Sequence, residues 1–204
     1  MTGHPKQIQV GPNGTLATGG RVFLRRPTMR DEGAFLSMVR ESRGFHRPWG
    51  GPPQDAKSFG LYIQRVRKDD FLGTFVCRIE DGAIAGVINV GPIERRALQS
   101  AYAGYYAAKA LAGQGYMTEG MGLVLGYAFG ELKLHRIEAN IQPANEKSIA
   151  LVKRCGFRYE GFSPRYLKIG GRWRDHERWA ILAEEWRGKR RRKISGKKSK
   201  EVKR

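Results

Sequence analysis

Residues 100–132 run Ser100-Ala-Tyr-Ala-Gly-Tyr-Tyr-Ala107, then Gly113-Gln-Gly115, then Tyr116-Met-Thr-Glu-Gly-Met121 and on to Leu132. The first run is short, with small and aromatic residues, as a strand is. Met121, Val124, Leu125, Ala128, Phe129 and Leu132 recur at the i, i+3, i+4 spacing of one buried helical face. A strand, a glycine turn and a helix therefore follow one another. Gly113 and Gly115 let backbone N–H groups approach a ligand closely. The helix start behind them adds free donors and the positive end of a dipole, an arrangement that suits an anion, phosphate above all. Alone, Gly-x-Gly fits a tight turn as well. It is not a Walker A loop, because no Gly-Lys-Ser/Thr follows, and Thr118 stands where a dinucleotide fingerprint has its third glycine.

At 204 residues the chain is long enough for one domain with a sizeable core, plus tails. Its hydrophobic content of 40% suits a soluble globular protein. No apolar run approaches the length a bilayer demands and no charged-then-apolar leader opens the chain. Neither a membrane span nor a secretory signal is expected, and a cytoplasmic location is. Cys77 and Cys155 form no spaced set with each other or with the histidines, so neither a disulfide framework nor a metal site is expected. The net charge of +19 is uneven: residues 187–204 carry +10, with Glu201 as their one acid, and the rest carry +9. Such a tail cannot bury enough apolar surface to order itself. It reads either as a solubilising disordered end or as an arm that binds RNA or a ribosomal surface through counterion release.

In chain order, residues 1–18 read as a flexible lead-in, residues 19–186 as the folded domain and 187–204 as the basic tail. Val22 and Leu24 alternate with polar neighbours in a strand. Thr28, with Asp31 three residues on, caps a helix whose buried side is Phe35, Met38 and Val39. Residues 42–53 form a loop around Trp49, residues 54–68 a second helix, and residues 71–80 and 84–93 two strands joined at Asp81-Gly82, a hairpin signal. After the central strand, loop and helix come a strand at 136–142, a helix at 145–154 stopped by Gly156, and strands at 157–162 and 176–182. The expected order is β-α-α-β-β-β-α-β-α-β-β, an α/β fold with at least one parallel pair around the glycine loop.

This order, with Gly113-Gln-Gly115-Tyr-Met-Thr-Glu119 and a downstream Pro143-Ala-Asn145-Glu-Lys-Ser148 leading to Gly156-Phe157, resembles the GNAT N-acetyltransferases. Within them it is similar to the RimJ/RimL branch, the ribosomal-protein N-terminal acetyltransferases, and most to the ribosomal-protein-alanine type. Matching pieces also occur at Glu41-Ser-Arg43 with Pro48-Trp49, at Gly86-Val-Ile-Asn89 and from Tyr166 to His176, so the resemblance covers about residues 21–186. It implies a mixed, mostly antiparallel sheet with helices on both faces and a splayed parallel pair that receives acetyl-CoA. The pyrophosphate loop falls on Ala112, Gly113, Gln114, Gly115, Tyr116 and Met117, with Thr118 opening the helix. Ala112 replaces a Gln or Arg common in the family, so one side-chain contact to phosphate is expected to be missing. Pantetheine contacts fall on the backbone of Tyr106 and Ala107, the Ala107 N–H facing the thioester carbonyl.

The chemistry so implied is direct attack of a neutral amine on the thioester in a ternary complex. A protein α-amino group has a pKa of about 7.7–8.0 against about 10.4 for lysine, so an N-terminal amine asks less of a base. Where some relatives carry a glutamate, this chain has Asn140, which can orient water; Glu138, two residues earlier on the same strand face, is the candidate base and reads equally as a strand-edge carboxylate. Ser148 takes the place of the proton donor for the leaving thiolate. Asn145 binds pantetheine, caps the helix, or both. Trp49, Tyr105, Tyr166, Trp173 and Asp175 are placed around the acceptor. The expected function is acetylation of the N-terminal amine of a ribosomal protein, with no metal. The alternatives are a small-amine acetyltransferase and a ribosome- or RNA-associated binding protein that keeps the fold.

Overall fold

The computed structural model describes residues 14–187. The expected lead-in over residues 1–13 and the tail from 188 onward lie outside the described residues. Eight strands form one sheet in the order β1-β2-β3-β4-β5-β6-β8-β7. They are β1 (Thr15–Thr18), β2 (Val22–Arg25), β3 (Leu72–Arg78), β4 (Ile84–Val90), β5 (Ser100–Ala107), β6 (Arg136–Ile141), β7 (Arg158–Ile169) and β8 (Arg172–Leu182). The helices are α1 (Glu32–Glu41), α2 (Arg43–His46), α3 (Ala56–Val66), α4 (Tyr116–Gly130) and α5 (Glu146–Cys155). The mixed, mostly antiparallel α/β fold is as expected. None of the described helices is long and apolar enough to cross a membrane.

Strand alternation builds a core on each side of the sheet. Val22, Leu24, Leu72, Val76 and Ile88 face α4 and α5, where Met121, Val124, Leu125 and Val152 complete a fully buried cluster. Their neighbours Phe75, Cys77 and Val87 face the other way, against Phe35 of α1 and Phe59 and Ile63 of α3. Thr28, expected to cap α1, instead caps a 3-10 turn over Met29–Asp31 that leads into α1, with Asp31 accepting from the Thr28 backbone N–H at 2.7 Å, and Asp55 caps α3 by accepting from the Ser58 N–H at 2.7 Å.

Three elements differ from the sequence expectation. The sheet begins inside the stretch read as lead-in: Thr15–Thr18 pair antiparallel with β2. The loop over residues 42–53 contains α2. β7 and β8 are each much longer than expected, meeting at Gly170-Gly171, because residues 163–175 bury neither face and so lack apolar alternation. Pro164 argues against a central strand but is tolerated in β7, which lies at the sheet edge.

β5 and β6 form the parallel pair, and they pair only at Ser100, Ala101 and Tyr102 against Arg136, Ile137 and Glu138. Beyond that point β5 stays on β4 as far as Ala107, while β6 stays on β8 as far as Ile141. The two strands diverge. Gly91 N donates to Tyr102 O and Ala108 N to Ala85 O, so the backbone groups of Tyr102, Gly104, Tyr106 and Ala108 point to β4. Those of Ala103, Tyr105 and Ala107 therefore point into the widening gap.

Gly86 sits behind that gap, where β4, β5 and the start of α4 converge. A Cβ there would lie 2.4 Å from Met117 Sδ and 2.6 Å from Tyr106 O. Gly86→Ala is expected to destabilise the fold by about 1–3 kcal/mol, because backbone on one side has no room to retreat. Urea denaturation checks this, and an unchanged midpoint would contradict it.

Candidate active site

The chain after β5 turns through Lys109–Leu111 and reaches Gly113 and Gly115, both left-handed with φ of 79° and 86°. Gly115 is the N-cap of α4, so the amides of Tyr116, Met117 and Thr118 have no intrahelical acceptor. Successive free N–H groups at a helix start form a concave cradle for an anion. An acid in that first turn, Glu119, is turned away from it. Burial raises the Glu119 pKa, but donation from the backbone N–H groups of Arg21, Gly20 and Val22 outweighs it and holds the carboxyl below its ordinary value.

Arg21 is a member of this loop that the sequence did not reveal. Its Nη1 donates to Gln114 O at 3.1 Å, and its guanidinium lies 4.9 Å over the Tyr116 ring. Its Nη2 is 3.0 Å from where a Cβ on Gly115 would sit. Its Nε pairs with Glu119 at 3.4 Å, yet the side chain is 55% exposed, so a partly exposed cation stands at the loop that has Ala112 in place of Gln or Arg. Gln114 itself turns its side chain back onto Ala110 O, at 3.2 Å.

Across the gap, Asn145 caps α5 by accepting from Ser148 N at 3.3 Å. The Ser148 Oγ lies 2.6 Å from the Tyr105 hydroxyl. Burial pushes the Tyr105 phenol well above its usual range, so it stays protonated as a donor. His46 of α2, a second residue the sequence did not single out, places Nε2 2.8 Å from Ala107 O. A carbonyl only accepts, so Nε2 carries a hydrogen, and the buried Nδ1 has no hydrogen-bond partner among the described residues. Ser42 Oγ accepts from Lys109 N at 2.9 Å, so the α1–α2 junction is fastened to the end of β5 at two points.

These groups line one open cleft of about 2050 Å³. Of the residues anticipated from the sequence, it brings together Trp49, Tyr105, Tyr106, Ala107, Ala112, Gly113, Gly115, Tyr116, Met117, Thr118, Asn145 and Ser148. The Tyr106 backbone, expected to face the ligand, instead pairs with Val87 of β4, and Tyr105 and Ala107 present their backbone to the gap.

Gln114, Glu138, Asn140, Tyr166, Trp173 and Asp175 lie outside the cleft lining. Glu138, anticipated as the base, is held between two guanidinium groups, accepting from Arg136 Nε at 2.9 Å and from Arg178 at 3.3 Å. Both of its oxygens are therefore occupied by guanidinium donors rather than turned to the cleft. Asn140 has a buried Oδ1 without a hydrogen-bond partner among the described residues. Asp175 accepts from Arg165 N at 2.7 Å, Tyr166 packs edge-on against His176, and Trp173 is 61% exposed. Among the described residues, no three His, Cys, Asp or Glu side chains gather as a metal-binding group.

Residues 21–158 match the Acetyltransferase (GNAT) domain family. The chain is 35% identical over 172 residues to the Probable N-acetyltransferase YjcK of Bacillus subtilis, covering 80% of this chain and 95% of that one. It is 27% identical over 177 residues to the ribosomal protein uS5-alanine N-acetyltransferase of Escherichia coli, covering 83% and 91%. Among solved structures, Mycobacterium smegmatis RimJ in complex with CoA-disulfide superposes with a TM-score of 0.75 at 30% identity, covering 81% of this chain and 87% of that one. The family match over most of the domain, together with these relatives along its length, makes the chain a member of the GNAT acetyltransferase family.

Proposed function

We propose that the chain transfers acetyl from acetyl-CoA to the N-terminal amine of a ribosomal protein. The observation that carries the transfer reading is the divergence of β5 and β6, which opens unpaired backbone groups beside the Tyr105–Ser148 hydroxyl pair. Acetyl-CoA supplies an activated acyl group on a thiol leaving group. The amides of Gly113–Thr118 and the Arg21 guanidinium suit its pyrophosphate, a backbone cradle plus one partly exposed cation. The gap edge of Tyr105 and Ala107 suits an amide-bearing arm lying alongside β5 as an extra strand. The Tyr106–Ala107 peptide is held on β4 through the pairing of Tyr106 with Val87, which aims the Ala107 N–H into the gap as a preorganised donor for developing negative charge, while His46 holds the next peptide through the Ala107 carbonyl.

The departing thiolate needs a proton, and the paired hydroxyls of Tyr105 and Ser148 are placed to supply it. The attacking amine must be neutral. With Glu138 committed to Arg136 and Arg178, an acceptor that is already partly neutral near pH 7 is favoured, which an α-amino group is and a lysine is not. The ribosomal assignment rests on similarity to the uS5-alanine enzyme and to RimJ. The positive charge of the chain supports it further by disfavouring polycationic small amines.

Two measurements test this. Ser148→Ala and Tyr105→Phe are each expected to lower kcat by about 100-fold, within the range general acid catalysis provides, with the acetyl-CoA Kd unchanged. The double variant is expected to be no slower than the slower single one, because the two act as a unit. A full-rate single variant would remove the pair from the chemistry. Coenzyme A release is expected with alanine- or serine-initiated peptides bearing a free N-terminus and not with blocked peptides, internal lysines or polyamines. Turnover with small amines alone would overturn the acceptor assignment.

A further inference from the structure

β7 and β8 run on beyond the sheet that supports them. β6 pairs with β8 only from Glu177 to Leu182, so residues 163–176 form a two-stranded ribbon with no third strand. It reaches about 17 Å past the last paired residue, at about 3.4 Å per residue. A two-stranded ribbon is marginal on its own. This one is pinned at its base, where Asp175 accepts from Arg165 N and Tyr166 packs on His176.

The ribbon's surface is cationic and aromatic. Residues 161–176 hold Arg165, Lys168, Arg172 and Arg174 against one acid, Asp175. None of the four cations forms an ion pair among the described residues. Across the strands Lys168 stands opposite Trp173 and Arg174 opposite Leu167. Trp173 is 61% exposed and Leu167 41%. Free cations flanking an exposed ring offer the two things a nucleic acid strand binds, phosphate neutralisation and a stacking platform. The same charge argues against a second copy of this chain, whose ribbon would be equally positive.

The geometry points to the β7–β8 ribbon as a docking surface for single-stranded RNA, separate from the transfer cleft. Bound there, an RNA neutralises the three cations near the tip and stacks a base on Trp173. The four cations and the ring sit on a hairpin outside the cleft lining, so docking does not require turnover.

The test uses the full chain and a fluorescently labelled 20-nucleotide oligouridylate, with anisotropy read across a salt series. Replacing three cations together, Lys168→Gln, Arg172→Gln and Arg174→Gln, is expected to weaken binding at least about tenfold. The slope of log affinity against log salt should become shallower by about 2, from about 0.7 per single-strand phosphate contact. Trp173→Ala is expected to weaken binding about fivefold or more with the slope unchanged, as loss of stacking does. Coenzyme A release by the triple variant, with a short free-N-terminus peptide, is expected to equal that of the parent and so verifies folding. Unchanged RNA affinity and slope in the triple variant would overturn the inference. So would light scattering that shows the ribbon variants losing self-association, or an equal loss of polyglutamate binding with no effect of Trp173→Ala.

Discussion

Two parallel strands that stay hydrogen-bonded for only three residue pairs leave backbone groups that must be satisfied some other way. Buried N–H and C=O groups are rarely left unpaired, so a gap of this kind implies a partner. Here β4 and β8 hold β5 and β6 on their outer sides through Ala107 and Ile141, which keeps the gap open. One carbonyl in it, that of Ala107, is taken by His46. The rest of the site is arranged around the same opening: the Gly113–Gly115 turn caps one end, and the Tyr105–Ser148 pair stands across it.

The electrostatics of the cleft follow from where each charge is tied. Glu119 would oppose an anion at the start of α4, yet its carboxylate is bound by backbone donors of the β1–β2 turn and by Arg21. That leaves the helix N-terminus and an exposed guanidinium as the local field. Farther along β6, Glu138 is clasped by Arg136 and Arg178, and Arg136 also pairs with Glu160. That ionic network ties the β6 edge to β7 and β8.

The sequence made the centre of this fold legible because its signals are local. A glycine pair followed by a 3.6-residue apolar period needs no tertiary information, and Asn145, Ser148 and Gly156 mark the start and end of α5 in the same way. Residues that act by meeting across the fold were not legible. Arg21 reaches Gln114 over 93 residues and His46 reaches Ala107 over 61, and neither sits in a pattern that announces the contact. The ribbon and β1 were missed because neither carries the alternation of a half-buried strand. The pairing of Glu138 with Arg178 was not legible either, because the register of β8 against β6 brings Arg178 alongside.

If the β5–β6 opening and the glycine turn hold acetyl-CoA together, bound ligand must protect their amides specifically. Residue-resolved amide hydrogen exchange, with and without saturating acetyl-CoA, measures this directly. The account predicts slowed exchange at Ala107 and from Gly113 to Thr118, with none gained on residues 163–176. Binding that leaves Ala107 and the Gly113–Thr118 amides exchanging at the free rate would contradict it.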